Sequence, residues 1–250
     1  MLSKAIRLLY HRNPFLEAVP WLMLASAMRF YAFGAGGLAA LIATAISNLA
    51  VFLAFLLAAR RMIEWTGGAT RLGHIDIRDQ LALGQKILNR VLLLLIGMVA
   101  LAFALGFKTT ALYFLLGFDG IAFDQASKTG MVWSAFLAAM VYLMLIAAEQ
   151  SGAPSLAGAI REFLARWRWM LPAIGLVALA HIALSFAQGH ARYLLFLAWQ
   201  QPFAPMPVMN IVYFTFVFGF ASIRLWATLA ILTFALRESY RRTQTARSNP

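Results

Sequence analysis

The most chemically demanding residue in this chain is an arginine in the middle of a long apolar run. Arg224 lies inside the stretch Met209–Leu236. A charge at the centre of a membrane-spanning helix costs about 2.5–3.5 kcal/mol on insertion scales, so the side chain must turn inward and find a partner. Its local neighbours Ser222 and Thr228 offer hydroxyls but no countercharge. The planar five-donor fork of a guanidinium suits phosphate and carboxylate groups bidentately. Two readings follow. Arg224 holds a ligand anion or lipid phosphate or acts as a gate, or it forms an internal ion pair with a segment that dips inward, such as the one carrying Asp119 and Asp124.

Two more polar residues fall at similar depth in apolar runs, His181 and Asn48. A buried imidazole can relay protons or bind an anion near neutral pH. The plainer role for both is a hydrogen bond that joins two helices. Arg224, His181 and Asn48 together form the candidate intramembrane polar site. The other histidines, His11, His74 and His190, share no metal-ligand spacing with His181. Cysteine is absent, which removes thiol nucleophiles, disulfides and Cys metal sites. With no Ser/His/Asp arrangement, no Gly-rich phosphate loop and no paired carboxylates inside the apolar runs, the expectation is a non-enzyme without metal or cofactor.

The elements that must position these residues are set by composition. The 250 residues are 62% apolar and only 12% charged, against about 45–50% and about 25% in soluble domains. The apolar residues come in long runs, and about 20 of them as a helix cross a bilayer core. Six segments qualify, at about 14–33, 36–59, 89–107, 130–148, 169–188 and 209–236. The first is interrupted by Glu17 and Arg29. In the second, Ala39, Ala43 and Ser47, then Ala50, Ala54 and Ala58, recur every four residues. That spacing lets helices approach closely and predicts a central helix or an oligomer contact. The fold class expected is an all-α polytopic membrane protein of one domain.

The net charge of +12 would suggest nucleic acid in a soluble protein. Its distribution argues for membrane topology instead. Sixteen of the 21 Lys and Arg residues fall on one side of a six-helix layout: Lys4, Arg7 and Arg12, then Arg60, Arg61, Arg71, Arg78, Lys86 and Arg90, then Arg161, Arg166 and Arg168, then Arg237, Arg241, Arg242 and Arg247. The opposite connections hold Lys108, Lys128 and Arg192, while Arg29 and Arg224 lie within or at the edge of spans. The positive-inside bias then places both termini in the cytoplasm and the chain in the inner (plasma) membrane. A competing reading takes Lys4, Arg7 and Arg12 followed by Ala25-Ser26-Ala27 as a cleavable signal peptide, against which Glu17 and Pro20 fit poorly.

The basic segments carry helical patterns of their own. Residues 1–13 place Leu2, Ala5, Ile6 and Leu9 on one face. Ser155 is positioned as an N-cap before an apolar stripe of Leu156, Ile160, Phe163, Leu164 and Trp167. Asp76 is placed to cap a helix with Ile77, Leu81, Gly84 and Leu88 on one face. Basic amphipathic helices of this kind sit at headgroup level and attract anionic lipid, which makes Arg161, Arg166 and Arg168 the candidate lipid contacts. The plainer role is ordinary juxtamembrane anchoring. Residues 237–250 read as a basic cytoplasmic tail. Between the third and fourth spans, Thr109–Gln125 is apolar but too short to cross, so a re-entrant half-helix or an interfacial loop fits it.

Ala5-Ile6-Arg7 with Arg12 echoes Ala159-Ile160-Arg161 with Arg166, as repeats in transport folds do, although so short an echo also arises by chance. The run Ser155–Leu179, a capped basic helix passing through Arg166-Trp167-Arg168 into Met170-Leu171-Pro172 and a small-residue span, resembles a bacterial six-helix membrane domain also found fused to some glycerophosphodiester phosphodiesterases. The resemblance implies a membrane module of the bacterial envelope and no catalytic residues, since the chain has no room for the phosphodiesterase barrel. The functional expectation is a transport or lipid-handling module. The alternative is a non-catalytic scaffold or assembly subunit, with a second copy or an envelope protein as partner.

Overall fold

The computed structural model describes residues 15–65, 77–106, 128–151, 153–199 and 206–248. The expectations for residues 1–13, Asp76 and Thr109–Gln125 therefore lie outside the described residues. Those residues form seven helices: α1 (Val19–Gly34), α2 (Gly37–Trp65), α3 (Ile77–Ala104), α4 (Lys128–Ser151), α5 (Leu156–Ala165), α6 (Trp167–Trp199) and α7 (Met206–Ser248). There is no strand among them. Five helices are long and apolar enough to cross a membrane, over Gly37–Glu64, Leu81–Ala104, Gly130–Ala148, Trp167–Trp199 and Val208–Glu238, which is compatible with a multi-pass membrane protein.

The element expected first is shorter than its apolar run. Phe15–Ala18 form a turn, and the helix begins only at Val19, with Pro20 in its first turn. Proline is preorganised for that place because its missing N–H would have no partner there. The 16 residues of α1 extend about 24 Å at 1.5 Å per residue, less than the ~30 Å of a bilayer core. Ala25 and Ser26, which resemble a cleavage site in sequence, are buried in the middle of this helix.

Elsewhere the helices outrun their apolar segments. α3 joins the expected basic helix and third span into one element of 28 residues. α6 continues beyond Gln188 to Trp199, so Arg192 belongs to a helix and not to a connection. α7 carries on through the basic tail to Ser248. The physical reason is common to all three. Apolar length measures what lipid can cover, whereas a helix satisfies its own backbone and continues into water until a breaker intervenes.

Small residues close the α1–α2 hairpin. Ala43, Ala50, Ala54 and Ala58 are buried, and Ser47 donates from its hydroxyl to the Ala25 carbonyl at 3.0 Å. Ala39 is exposed, so the small-residue series acts only from its second member onward. The centre of the bundle is α4, not α2. Its membrane-length window is 83% buried, against 44% for that of α2 and 22% for that of α3. α4 contacts α2, α3, α5, α6 and α7, and its Leu137, Val141, Leu143 and Met144 are fully enclosed.

Pairwise contacts fix the ends. At one end, where α1 begins and α2 finishes, Arg61 bonds Glu17 and also Glu64, the latter at 2.8 Å. At the other end Phe30 of α1, Tyr213 of α7 and Trp199 of α6 meet, with ring centroids 6.2 and 5.8 Å apart. α6 and α7 thus run antiparallel, with the last residue of α6 beside the first turns of α7 at this second end. We call it the loop end.

Candidate functional site

Several of the buried polar groups, His181, Gln188, Thr228 and Thr233, lie on α6 and α7. α6 contributes His181, Ser185, Gln188 and Arg192, spaced four, three and four residues apart, which places them on one helical face. α7 contributes Arg224 and Thr228, one turn apart. Arg224 stands at the middle of the 31-residue apolar stretch Val208–Glu238. Across the seam between α6 and α7, Arg224 Nη2 donates to Gln188 Oε1 at 3.3 Å. One turn deeper, His181 Nε2 meets Thr228 Oγ1 at 2.8 Å, while the same hydroxyl donates to the Arg224 carbonyl at 2.8 Å.

These contacts set the amide orientation and, for a neutral imidazole, the tautomer. Arginine has donors only, so it can meet only the oxygen of Gln188, and the amide nitrogen must face the other way. That nitrogen is buried and has no hydrogen-bond partner among the described residues. Thr228 has a single hydroxyl proton, used on the Arg224 carbonyl, so the arrangement that satisfies every group has His181 donate from Nε2. Its Nδ1 then keeps a lone pair, also buried and without a hydrogen-bond partner among the described residues. Gln188 is 1% exposed and His181 5%.

Magnitudes show how much the seam does for the buried charge. A hydrogen bond to a charged group contributes about 1.5–3 kcal/mol, against an insertion cost of about 2.5–3.5 kcal/mol for a central arginine. Gln188 alone offsets a large part of that cost. α6 contains no Asp or Glu, and α7 has none before Glu238. The seam offers the donors of Arg224, Gln188 and Arg192 and the lone pair of His181. Such a set can hold an anion and, beside it, a proton.

Of the three residues singled out by sequence, the fold therefore joins two. Arg224 and His181 share Thr228. Asn48 is half-buried on α2, its Oδ1 without a hydrogen-bond partner among the described residues, and no described hydrogen bond links it to the seam. The interhelical bond from that part of α2 is made by the adjacent Ser47. Gln188, the direct partner of Arg224, is absent from the sequence reading. The signal was its place seven residues after His181, two turns on along the same face. Arg29 adds a further buried cation on α1, on the same stripe as the buried Ala18, Leu22 and Ala25. Asp119 and Asp124 lie outside the described residues, and no cluster suited to a metal ion occurs among the described residues.

The basic segment before α6 is built around α5. Ser155 caps it as expected, its hydroxyl oxygen accepting from Gly158 N at 3.1 Å. Ala159 is buried, Leu156 and Phe163 pack partly on the core, and Gly158 lies against Ala147 of α4. Ile160, Leu164 and Trp167 are exposed, together with Arg161 and Arg168. The Arg168 guanidinium lies 5.7 Å from the centre of the Trp167 ring. Arg166 instead turns back onto Glu162 at 2.9 Å, so only two of the three candidate lipid contacts point outward. Against known proteins the chain matches no family model, no curated sequence and no solved structure.

Proposed function

We propose that this chain is a six-span inner-membrane module with both termini cytoplasmic that transports or handles an acidic small molecule or lipid in the polar seam between α6 and α7. The observation that carries the reading is the Arg224–Gln188 contact together with the buried Gln188 Nε2 and His181 Nδ1, which have no hydrogen-bond partner among the described residues. An ionisable residue inside a membrane helix, such as Arg224, is costly and by default marks a functional site. The sixth span is α1 with its preceding turn. The asymmetry of sixteen cations against three supports the orientation. The resemblance of Ser155–Leu179 to a bacterial envelope module agrees with this placement.

A second reading rests on the exposed stripe Ile160, Leu164 and Trp167. On it the chain is a scaffold whose basic end docks an envelope partner or a second copy. Anionic headgroups offer the same stripe a simpler cover, since Arg161 and Arg168 flank it. Lipid contact there is compatible with transport.

Arg224→Leu separates the possibilities. On the ligand reading, the variant folds with a thermal midpoint in detergent near that of the wild type and loses binding of acidic lipid or anion. If Asp119 or Asp124 is the true partner, the same change lowers the midpoint, and a second change of that Asp to Asn restores it. A variant unaltered in both stability and binding would refute the site.

A further inference from the structure

We infer that Gln188 and Arg192, together with Arg224, form a donor-only cradle for an oxyanion of the phosphate kind, opening toward the loop end of the α6–α7 seam. This deepens the transport or lipid-handling reading above and rests on it. Three observations on α6 point the same way. First, Gln188 is 1% exposed and its oxygen is held by Arg224, so its two N–H donors face the interior with no hydrogen-bond partner among the described residues. A buried amide in that condition is costly unless something accepts from it.

Second, Arg192 follows Gln188 by four residues and therefore shares its face one turn nearer the loop end. Its Nε is likewise buried and without a hydrogen-bond partner among the described residues. Third, the 33 residues of α6 include no carboxylate to answer these donors. A lining of amide and guanidinium N–H groups excludes cations and favours a ligand that only accepts. Phosphate offers several acceptor oxygens in the geometry that arginine forks match.

The direction of access follows from the order of residues. His181 lies near the middle of α6 and Arg192 seven residues short of its end at Trp199, so the polar face rises toward the loop end. On the opposite side of His181, the buried residues of α6 are Ala178, Val177, Ile174, Ala173 and Met170, all apolar.

The test uses the full chain in detergent with two probes, inorganic phosphate and a short-chain phosphatidic acid, read by thermal unfolding. Gln188→Glu keeps an oxygen for Arg224 and makes it a carboxylate, so the unliganded fold is retained with its midpoint equal or raised, yet it replaces two donors with a charge that repels phosphate. We expect it to weaken stabilisation by the active probe about ten- to hundredfold, the loss of one charge-assisted contact. Arg192→Gln should weaken it too, with the unliganded midpoint unchanged. Activity of free phosphate alone assigns a soluble ion as the source. Activity of the lipid alone assigns a headgroup. If Arg224→Leu abolishes binding while Gln188→Glu and Arg192→Gln bind like the wild type, the interior site survives and the cradle proposed here is wrong. A wild type indifferent to both probes overturns the cradle as well.

Discussion

Arg224 and Gln188 face each other across the α6–α7 seam, the guanidinium donating to the amide oxygen at 3.3 Å. The pair settles which way the amide points, and with it the character of the surrounding space. With its oxygen held by Arg224, the amide turns its own N–H donors away from the guanidinium. The facing sides of α6 and α7 are therefore rich in donors, where the core cluster is packed with Leu, Ala and Met.

The Thr228 hydroxyl ties the two halves of this seam, receiving from His181 and donating to the Arg224 carbonyl. Thr228→Val keeps the volume and removes both bonds. It should destabilise the fold by about 1–3 kcal/mol, because it leaves the His181 N–H buried without an acceptor. His181→Leu in the same background should recover much of that loss by removing the stranded donor. Thermal unfolding of the two single variants and the double variant measures the coupling, and additivity would mean that the two side chains do not interact.

At the opposite end, the Arg61 guanidinium is shared by Glu17 and Glu64, and Arg60 lies 3.6 Å from Glu64. Only the Glu17 contact joins two elements, the entry to α1 and the end of α2. Both side chains are mostly buried, so this pair differs from a surface ion pair worth about 0–1 kcal/mol. Glu17→Gln should loosen the start of α1 more than Glu64→Gln does, which would appear as faster amide exchange in Leu22–Ala25. Equal effects from the two variants would show that the pair does not clamp the hairpin.

Sequence carried the helical class and the apolar runs, because lipid-covered length is a property of consecutive residues. It carried the Ser155 cap for the same reason, since a cap is local. It also found Arg224 and His181, where a polar residue stands out against an apolar background. Gln188 escaped because it sits beside Gly189 and His190, where the apolar run fades, and it read as the end of a span. Only the continuation of α6 to Trp199 makes it an interior residue. The dominance of α4 was equally hidden. Its sequence is no more apolar than that of α2, and what distinguishes it is how many neighbours surround it, which no local pattern encodes.

The exposed edge of α5 leads to a prediction about lipid. Replacing Arg161, Arg166 and Arg168 together by Glu reverses an attraction worth about 1 kcal/mol per charge near an anionic surface. It also breaks the Arg166–Glu162 pair. The triple variant should lose co-purifying anionic lipid or insert poorly. Arg166→Gln alone should change lipid binding little, since that side chain is turned back onto Glu162. Unchanged expression, orientation and lipid content in the triple variant would reduce α5 to a connector.

Topology is testable directly because the chain contains no cysteine, so single cysteines report their own positions. Arg71→Cys and Ser248→Cys should react with a membrane-impermeant maleimide only when the cytoplasmic face is open to it. Lys128→Cys should react from outside. Glu17 and Arg61 place the start of α1 and the end of α2 together, and Trp199 with Tyr213 places the α6–α7 connection at the other end. The cationic segments all follow the first of these ends, and moving them across a membrane is opposed by the bias that orients such chains. An odd number of crossings, with α1 failing to span, would put positions 71 and 248 on one side but leave residue 15 on the other. Phe15→Cys therefore distinguishes five crossings from six. Labelling it from the cytoplasm supports six, labelling it from outside supports five, and finding positions 71 and 128 on the same side would overturn both layouts.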